Sequence, residues 1–412
     1  MLRRVAVTGL GVVSPVGTGC QQFFDTLLAG KSGIRRLSAE FCDQLSAKIG
    51  GEVDFDPARH FAKQKLSLLD RFSQFALVAA KQAIDDSGLV LDERLQERTG
   101  VFLGTGMGGA HTLEAGYEDL FLQKKDRLPP YTVLRGMNNA PAAHVSIDFG
   151  LRGPVYTYST ACSSSAIAIG EACRAIRHGY ADAAVAGGAE SLLTLGILRA
   201  WEALRTLALE DAGDPAASCR PFSKDRTGLI LGEGAGMVVL EDMEGAVRRG
   251  ARIHAELAGY GAASDAAHIA KPDIGGQVRA MQLALADAGI GPEGVDYINA
   301  HGTATVAGDV IETAAIKRVF GAHAHKLAVS STKSMHGHLM GAAGGVEFVA
   351  TVLALVRQSL PPTAHLRIRD PECDLDYVAN TARDGISVRA AMSNSFAFGG
   401  SNAVLIARAL RV

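Results

Sequence analysis

A thiol and two imidazoles, far apart in the sequence, each sit where a short apolar run gives way to a glycine- or serine-rich turn. Cys162 lies in TACSSS (160–165), after the strand-like stretch 155–159. It precedes Ser164–Arg177, which is small and apolar on nearly every face and reads as a buried helix. A cysteine at a helix start feels unpaired backbone N–H groups and the positive end of the dipole, and both favour thiolate. That predicts a nucleophile suited to a thioester; the competing reading is one more small buried hydrophobe. His301 lies in NAHGTAT (299–305), directly after strand-like 295–298, with Gly302 allowing a tight turn. STKSMHGHLMGAAGG (331–345) repeats the arrangement with Lys333 and His338 before a small-residue helix. One histidine is ordinarily a core or loop residue, but two at glycine-flanked strand ends beside a helix-start cysteine suggest a common task. Decarboxylation of a malonyl thioester is such a task. It builds negative charge on the thioester oxygen and needs neutral imidazole N–H donors close by. A cation such as Lys333 would help to hold the imidazoles neutral and oriented. His336 and His338 form an H-x-H pair, but no cysteine or carboxylate cluster near them completes a metal site, and none is expected.

Short apolar runs at 4–8, 101–104, 183–187, 236–241, 296–300 and 326–331 alternate with longer helical patterns. Such alternation predicts an α/β protein with mostly parallel sheets covered by helices. Many runs end in glycine-rich turns (TGLG, GTGMGG, AGGAE, NAHGT, SNSFAFGGSN), and ligands of open α/β sheets sit at strand ends. The pattern resets near 248–260, which suggests a seam between an N-terminal half, 1–250, and a C-terminal half, 251–412. No literal repeat relates them, so any duplication is structural.

The chain has 412 residues, enough for a large core. Its 41 basic and 43 acidic side chains leave a formal charge of -2, so no whole-protein field gathers nucleic acid. Six scattered cysteines show neither C-x-x-C nor zinc-ligand spacing, which fits reduced thiols in the cytoplasm. The start, MLRRVAVTGLGVVSP, superficially suggests a secretory signal, but Gly9, Gly11 and Pro15 are expected to break it into a short strand and a turn. No run of 18 or more consecutive apolar residues occurs, so no membrane span is expected.

The blocks GTGMGG, TACSSS, AGGAE, RPFSKDRTGLILGEGAG, NAHGTAT with GD-x-x-E, STKSM-x-GH-x-x-GAAGG and NSF-x-FGG, in that order, resemble the beta-ketoacyl-acyl carrier protein synthases of the second type, thiolase-fold condensing enzymes. The resemblance covers essentially the whole chain. It implies a five-layer α/β/α/β/α thiolase fold, two stacked mixed sheets from two similar halves, and a homodimer. The implied reaction is decarboxylative condensation of malonyl-acyl carrier protein with an enzyme-bound acyl chain in fatty acid elongation.

By the same resemblance Cys162 is the acyl-accepting nucleophile, His301 and His338 promote decarboxylation, and Lys333 orders the site. Phe398 is the gate, its backbone N–H joining that of Cys162 in an oxyanion hole. Met107 and Trp201 fall where the family lines its acyl pocket; ordinary apolar packing is the alternative for each. Asp309, Glu312 and Glu347 match acidic positions that support the His and Lys loops. No cofactor is implied beyond the phosphopantetheine arm of the acyl carrier protein, whose acidic surface calls for a local basic patch. Arg205 matches a basic position of the family, with Lys63, Lys65 and Arg71 in a neighbouring helical stretch; plain solvated surface is the alternative.

The chain departs from the family at His336, where threonine is usual, at Val306, where proline is frequent, and at Ala397, in place of a glycine. These positions are expected on loops that line or gate the pocket, altering chain length or substrate polarity. A polyene or polyketide pathway, with a related degenerate subunit as partner, is therefore the alternative setting. A non-catalytic chain-length partner would lack Cys162, and a degradative thiolase would need a second cysteine in a glycine-rich loop, whereas Cys373 lies in PECDLD.

Overall fold

Two sets of five strands with the same internal order make the framework, seen in a computed structural model that describes residues 2–410. The first set is β1 (Val5–Ser14), β2 (Thr99–Gly104), β3 (Val155–Tyr158), β4 (Ala183–Glu190) and β5 (Gly234–Asp242). The second is β6 (Ala255–Ser264), β7 (Tyr297–Asn299), β8 (Ala328–Ser330), β9 (Ala390–Phe396) and β10 (Ser401–Arg408). The spatial orders are β3-β2-β4-β5-β1 and β8-β7-β9-β10-β6. In each set the first three neighbours run parallel and the last two pairings are antiparallel. The halves share one topology without a sequence repeat, and a short antiparallel pairing of Ala6 with Glu256 and Val7 with Ala255 joins them edge to edge.

Most of these strands are buried along their whole length, so they read as continuous Val/Ala/Gly runs rather than alternating patterns. Helices cover both faces. On the N-terminal half's outer side lie α1 (Arg71–Ser87) and α2 (Ala140–Phe149). Between the sheets lie α3 (Ser164–Arg177) and, from the other half, α7 (Ala343–Arg357). Each of these two touches strands of both sets. A further helix, α4 (Leu195–Leu204), follows β4, and α5 (Ile274–Ala288) and α6 (Val306–Phe320) form the other outer layer. This is the five-layer α/β/α/β/α thiolase fold.

One expectation changes. The run at 5–14 is one ten-residue strand, not a short strand and turn. Gly9 and Gly11 do not break it; they let α1 lie against it, since a Cβ there would stand 1.9 Å from the carbonyl oxygens of Ala83 and Ala79. Among the described residues one segment, Met340–Arg357, is apolar and long enough for a bilayer, but 89% of it is buried, in the central layer, so no span is indicated, as the sequence led one to expect. It is apolar because both of its faces meet a sheet.

Candidate active site

The serines of TACSSS close the turn that presents the thiol. Ser164 Oγ accepts from Thr160 N at 2.8 Å and donates to Ala161 O at 2.7 Å, while Ser163 Oγ donates to Thr160 O at 2.9 Å. They hold Ala161 at φ 51°, a left-handed conformation that a side chain disfavours. Strain of the same kind recurs beside each imidazole, at Ala304 (φ 66°) and Met340 (φ 46°). Ser165 Oγ accepts from Gly345 N at 2.8 Å, locking the starts of α3 and α7 together and with them the cysteine and His338 loops.

The fold brings Cys162, His301 and His338 to one cavity of about 300 Å³, with donor atoms within 4.8 Å of one another. His338 Nε2 is 3.0 Å from Cys162 Sγ, and the two imidazole rings stand nearly perpendicular, 5.4 Å apart. Lys333, 1% exposed, pairs with buried Glu347 and places Nζ 3.4 Å from His301 Nδ1. Because an ammonium only donates, His301 Nδ1 accepts, so its hydrogen sits on Nε2. His338 Nδ1 has no hydrogen-bond partner among the described residues, which leaves its tautomer free. Burial first, then the Lys333 charge, hold both imidazoles well below their ordinary pKa and therefore neutral.

The thiol departs from expectation. Burial pushes Cys162 up to about 11, and neither Lys333 nor the N–H groups of Phe398 and Cys162 offset it. The helix start alone does not make a resting thiolate, because the sulfur is taken out of water. Those two N–H groups nevertheless both face the sulfur. The Phe398 ring stacks on Trp201 at 5.9 Å, in an apolar cluster that also contains Cys162.

Carboxylates support the loops. Glu312 accepts from His301 N (2.8 Å) and Gly302 N (2.7 Å), and Asp309 accepts from Phe222 N (2.7 Å) and Ala304 N (3.2 Å). Sequence reasoning missed Glu190, fully buried at the end of β4. It accepts from Thr105, Gly106 and Met107 and from Gly341 across the central layer. A charged residue closing the small-residue run AGGAE was the available signal.

Other expected positions lie elsewhere. Met107 is 48% exposed and does not line the cavity. His336 is fully buried off the cavity, its ring nitrogens facing Gly337 O (2.8 Å) and Thr332 Oγ1 (3.0 Å), so it neither shapes the pocket nor offers a metal ligand. Val306 and Ala397 do line the cavity. Arg205 stands at its exposed rim with Lys271, which the sequence did not suggest. Arg71 cannot join a surface patch: it holds buried Glu233 through two hydrogen bonds of 2.9 and 2.6 Å, since an interior carboxylate demands its counter-charge. Lys65 is paired with Asp148 at 2.5 Å, and Lys63 is exposed. A Cys-His-His set could hold zinc, but an ammonium against His301 opposes a dication there.

The beta-ketoacyl synthase N-terminal domain family matches residues 2–246 and its C-terminal domain family matches 254–367. Nodulation protein E of Rhizobium leguminosarum bv. trifolii is 45% identical over 408 residues, 99% of this chain and 100% of that one. The 3-oxoacyl-(acyl-carrier-protein) synthase 2 of Synechocystis sp. is 43% identical over 406 residues, 98% of this chain and 97% of the relative. The solved ishigamide ketosynthase/chain length factor superposes with a TM-score of 0.93 at 37% identity, both chains fully covered. With a strained cysteine turn and two neutral imidazoles meeting in one cavity, the chain belongs to the beta-ketoacyl synthase family.

Proposed function

We propose that Cys162 carries the acyl chain and that His301 and His338 drive decarboxylation of the extender. The chain condenses malonyl-acyl carrier protein with that acyl group in fatty acid elongation. The approach of His338 Nε2 to Cys162 Sγ, with His301 at right angles in the same cavity, carries the reading. Cys162 sulfur attacks the incoming thioester as its proton passes through His338 to the departing carrier thiol, and the Cys162 and Phe398 N–H groups hold the oxyanion. Malonyl thioester then loses carbon dioxide. The electron pair moves onto its carbonyl oxygen, held by imidazole N–H donors, and returns from carbon to the acyl carbonyl. Collapse releases the β-ketoacyl thioester, and the Cys162 thiolate takes up a proton. Lys333 fixes the His301 tautomer. The chemistry needs no cofactor or metal beyond the carrier's arm, whose acidic protein meets Arg205 and Lys271 at the rim.

A second copy, or a related subunit, covers the open edge at β3. Exposed Tyr156, Ile147, Val133 and Leu134 on and around that edge support this, and sedimentation reads it as a dimer. Six free cysteines fit a reducing, cytoplasmic setting. The likeness to a ketosynthase/chain length factor keeps polyene or polyketide assembly as the second reading. Mass spectrometry after incubation with acyl carrier protein should find the acyl mass on Cys162, and Cys162→Ala retaining it would defeat the assignment. Condensation assays with graded saturated and polyunsaturated acyl carriers separate the two pathways.

A further inference from the structure

The two imidazoles of the centre are steadied differently. His301 Nδ1 faces the Lys333 ammonium at 3.4 Å, whereas only the Cys162 sulfur lies within hydrogen-bond reach of the His338 ring among the described residues. The direction of the His338 ring therefore comes from its backbone. That backbone is held by two hydrogen bonds, His338 N–H to Ile230 O (2.7 Å) and Gly232 N–H to His338 O (2.9 Å). The joint before it is loose: Gly337 sits at φ 75° and ψ -170°, a region open almost to glycine alone.

His336 catches the carbonyl of that joint. Gly337 O can only accept, so the 2.8 Å contact places the His336 hydrogen on Nδ1, and Nε2 then accepts from the Thr332 hydroxyl at 3.0 Å. Burial first, then the Lys333 charge, push the ring down to about 3, so it stays neutral and Nε2 stays free to accept. Thr332 Oγ1 in turn faces Nδ2 of Asn299 at 3.5 Å, at the end of β7 and just before the His301 turn. A chain of hydrogen bonds thus runs from the strand that presents one imidazole to the peptide that presents the other. The geometry points to His336 as a positioning residue: through Gly337 O it fixes the peptide that aims the His338 ring at Cys162 and sets it against His301. This rests on the condensation proposed above, in which His338 acts.

The test is a single turnover. Enzyme acylated on Cys162 from acyl carrier protein is mixed with malonyl-acyl carrier protein, and loss of the acyl mass is followed by mass spectrometry. Only chains already acylated are counted, so partial unfolding of a variant lowers the amplitude and leaves the rate constant unchanged. His336→Leu, which fills the space but donates nothing, should slow that constant by about tenfold. His336→Asn leaves more empty space but can bring an N–H to the place of Nδ1, and should stay within about threefold of wild type. A role in packing alone predicts the reverse order. A leucine variant within about twofold of wild type, or no slower than the asparagine variant, overturns the proposal. Acylated wild type that keeps its acyl group in the presence of malonyl-acyl carrier protein overturns the condensation reading itself and the His336 assignment with it.

Discussion

The sulfur of Cys162 and the imidazole of His338 touch at 3.0 Å yet rest as a neutral pair, because burial raises the thiol to about 11 and lowers the imidazole. Lys333 acts on the thiol more strongly than Glu347 does, so removing it should raise the thiol further even as the freed carboxyl takes up a proton. Alkylation of Cys162 by iodoacetamide should therefore climb about tenfold per pH unit from 7 towards 10. In Lys333→Met it should be slower at every pH in that range, by up to about tenfold. Faster alkylation in the variant would show that Glu347 outweighs Lys333 at the thiol. The residues of this centre were legible because their turns carry glycine and serine signals, and the direction of the helix-start effect was legible too. The desolvation that outweighs it was not, since it depends on what α7 and the 396–400 turn stack above the sulfur.

At the scale of elements, the strand ends that carry the site were readable from apolar runs, whereas β1 was misread at its glycines. Glycine in a local pattern signals a turn, but Gly9 and Gly11 answer to α1, some seventy residues away in sequence. β9 and β10 were not foreseen either: only their connecting turn, SNSFAFGGSN, stood out, and pairing with β6 and β7 makes them strands. Because Gly11 serves close approach rather than bending, Gly11→Ala should act through a clash with the Ala79 carbonyl and not through backbone strain. The expected loss is about 1–3 kcal/mol, seen as a lower urea midpoint at unchanged slope. A variant as stable as wild type would mean that α1 is free to move off the sheet.

For the molecule as a whole, the joints between halves rest on buried carboxyls whose chemistry makes stability depend on pH. Glu190 links the ends of β2 and β4 to the turn before α7, and burial raises it from 4.5 to about 7 despite four hydrogen bonds. Asp309 is likewise raised to about 7, and Glu347 shifts the same way beside Lys333. Between the unfolded value and about 7, the folded protein keeps a proton that the unfolded chain has already released. Stability contributed by the protonated form is thus complete below about 4.5 and disappears as pH rises through about 7. Carboxylates held low by arginines, such as Asp182 and Glu256, work in the opposite sense but at more acid pH, outside this window. Urea unfolding from pH 5 to 7.5 should therefore show wild type losing stability relative to Glu190→Gln by an amount that grows to roughly 3 kcal/mol. The constant offset between the two proteins reports lost hydrogen bonds and is not the quantity of interest. Parallel pH profiles would mean that Glu190 stays ionised through the window, its four donors outweighing burial.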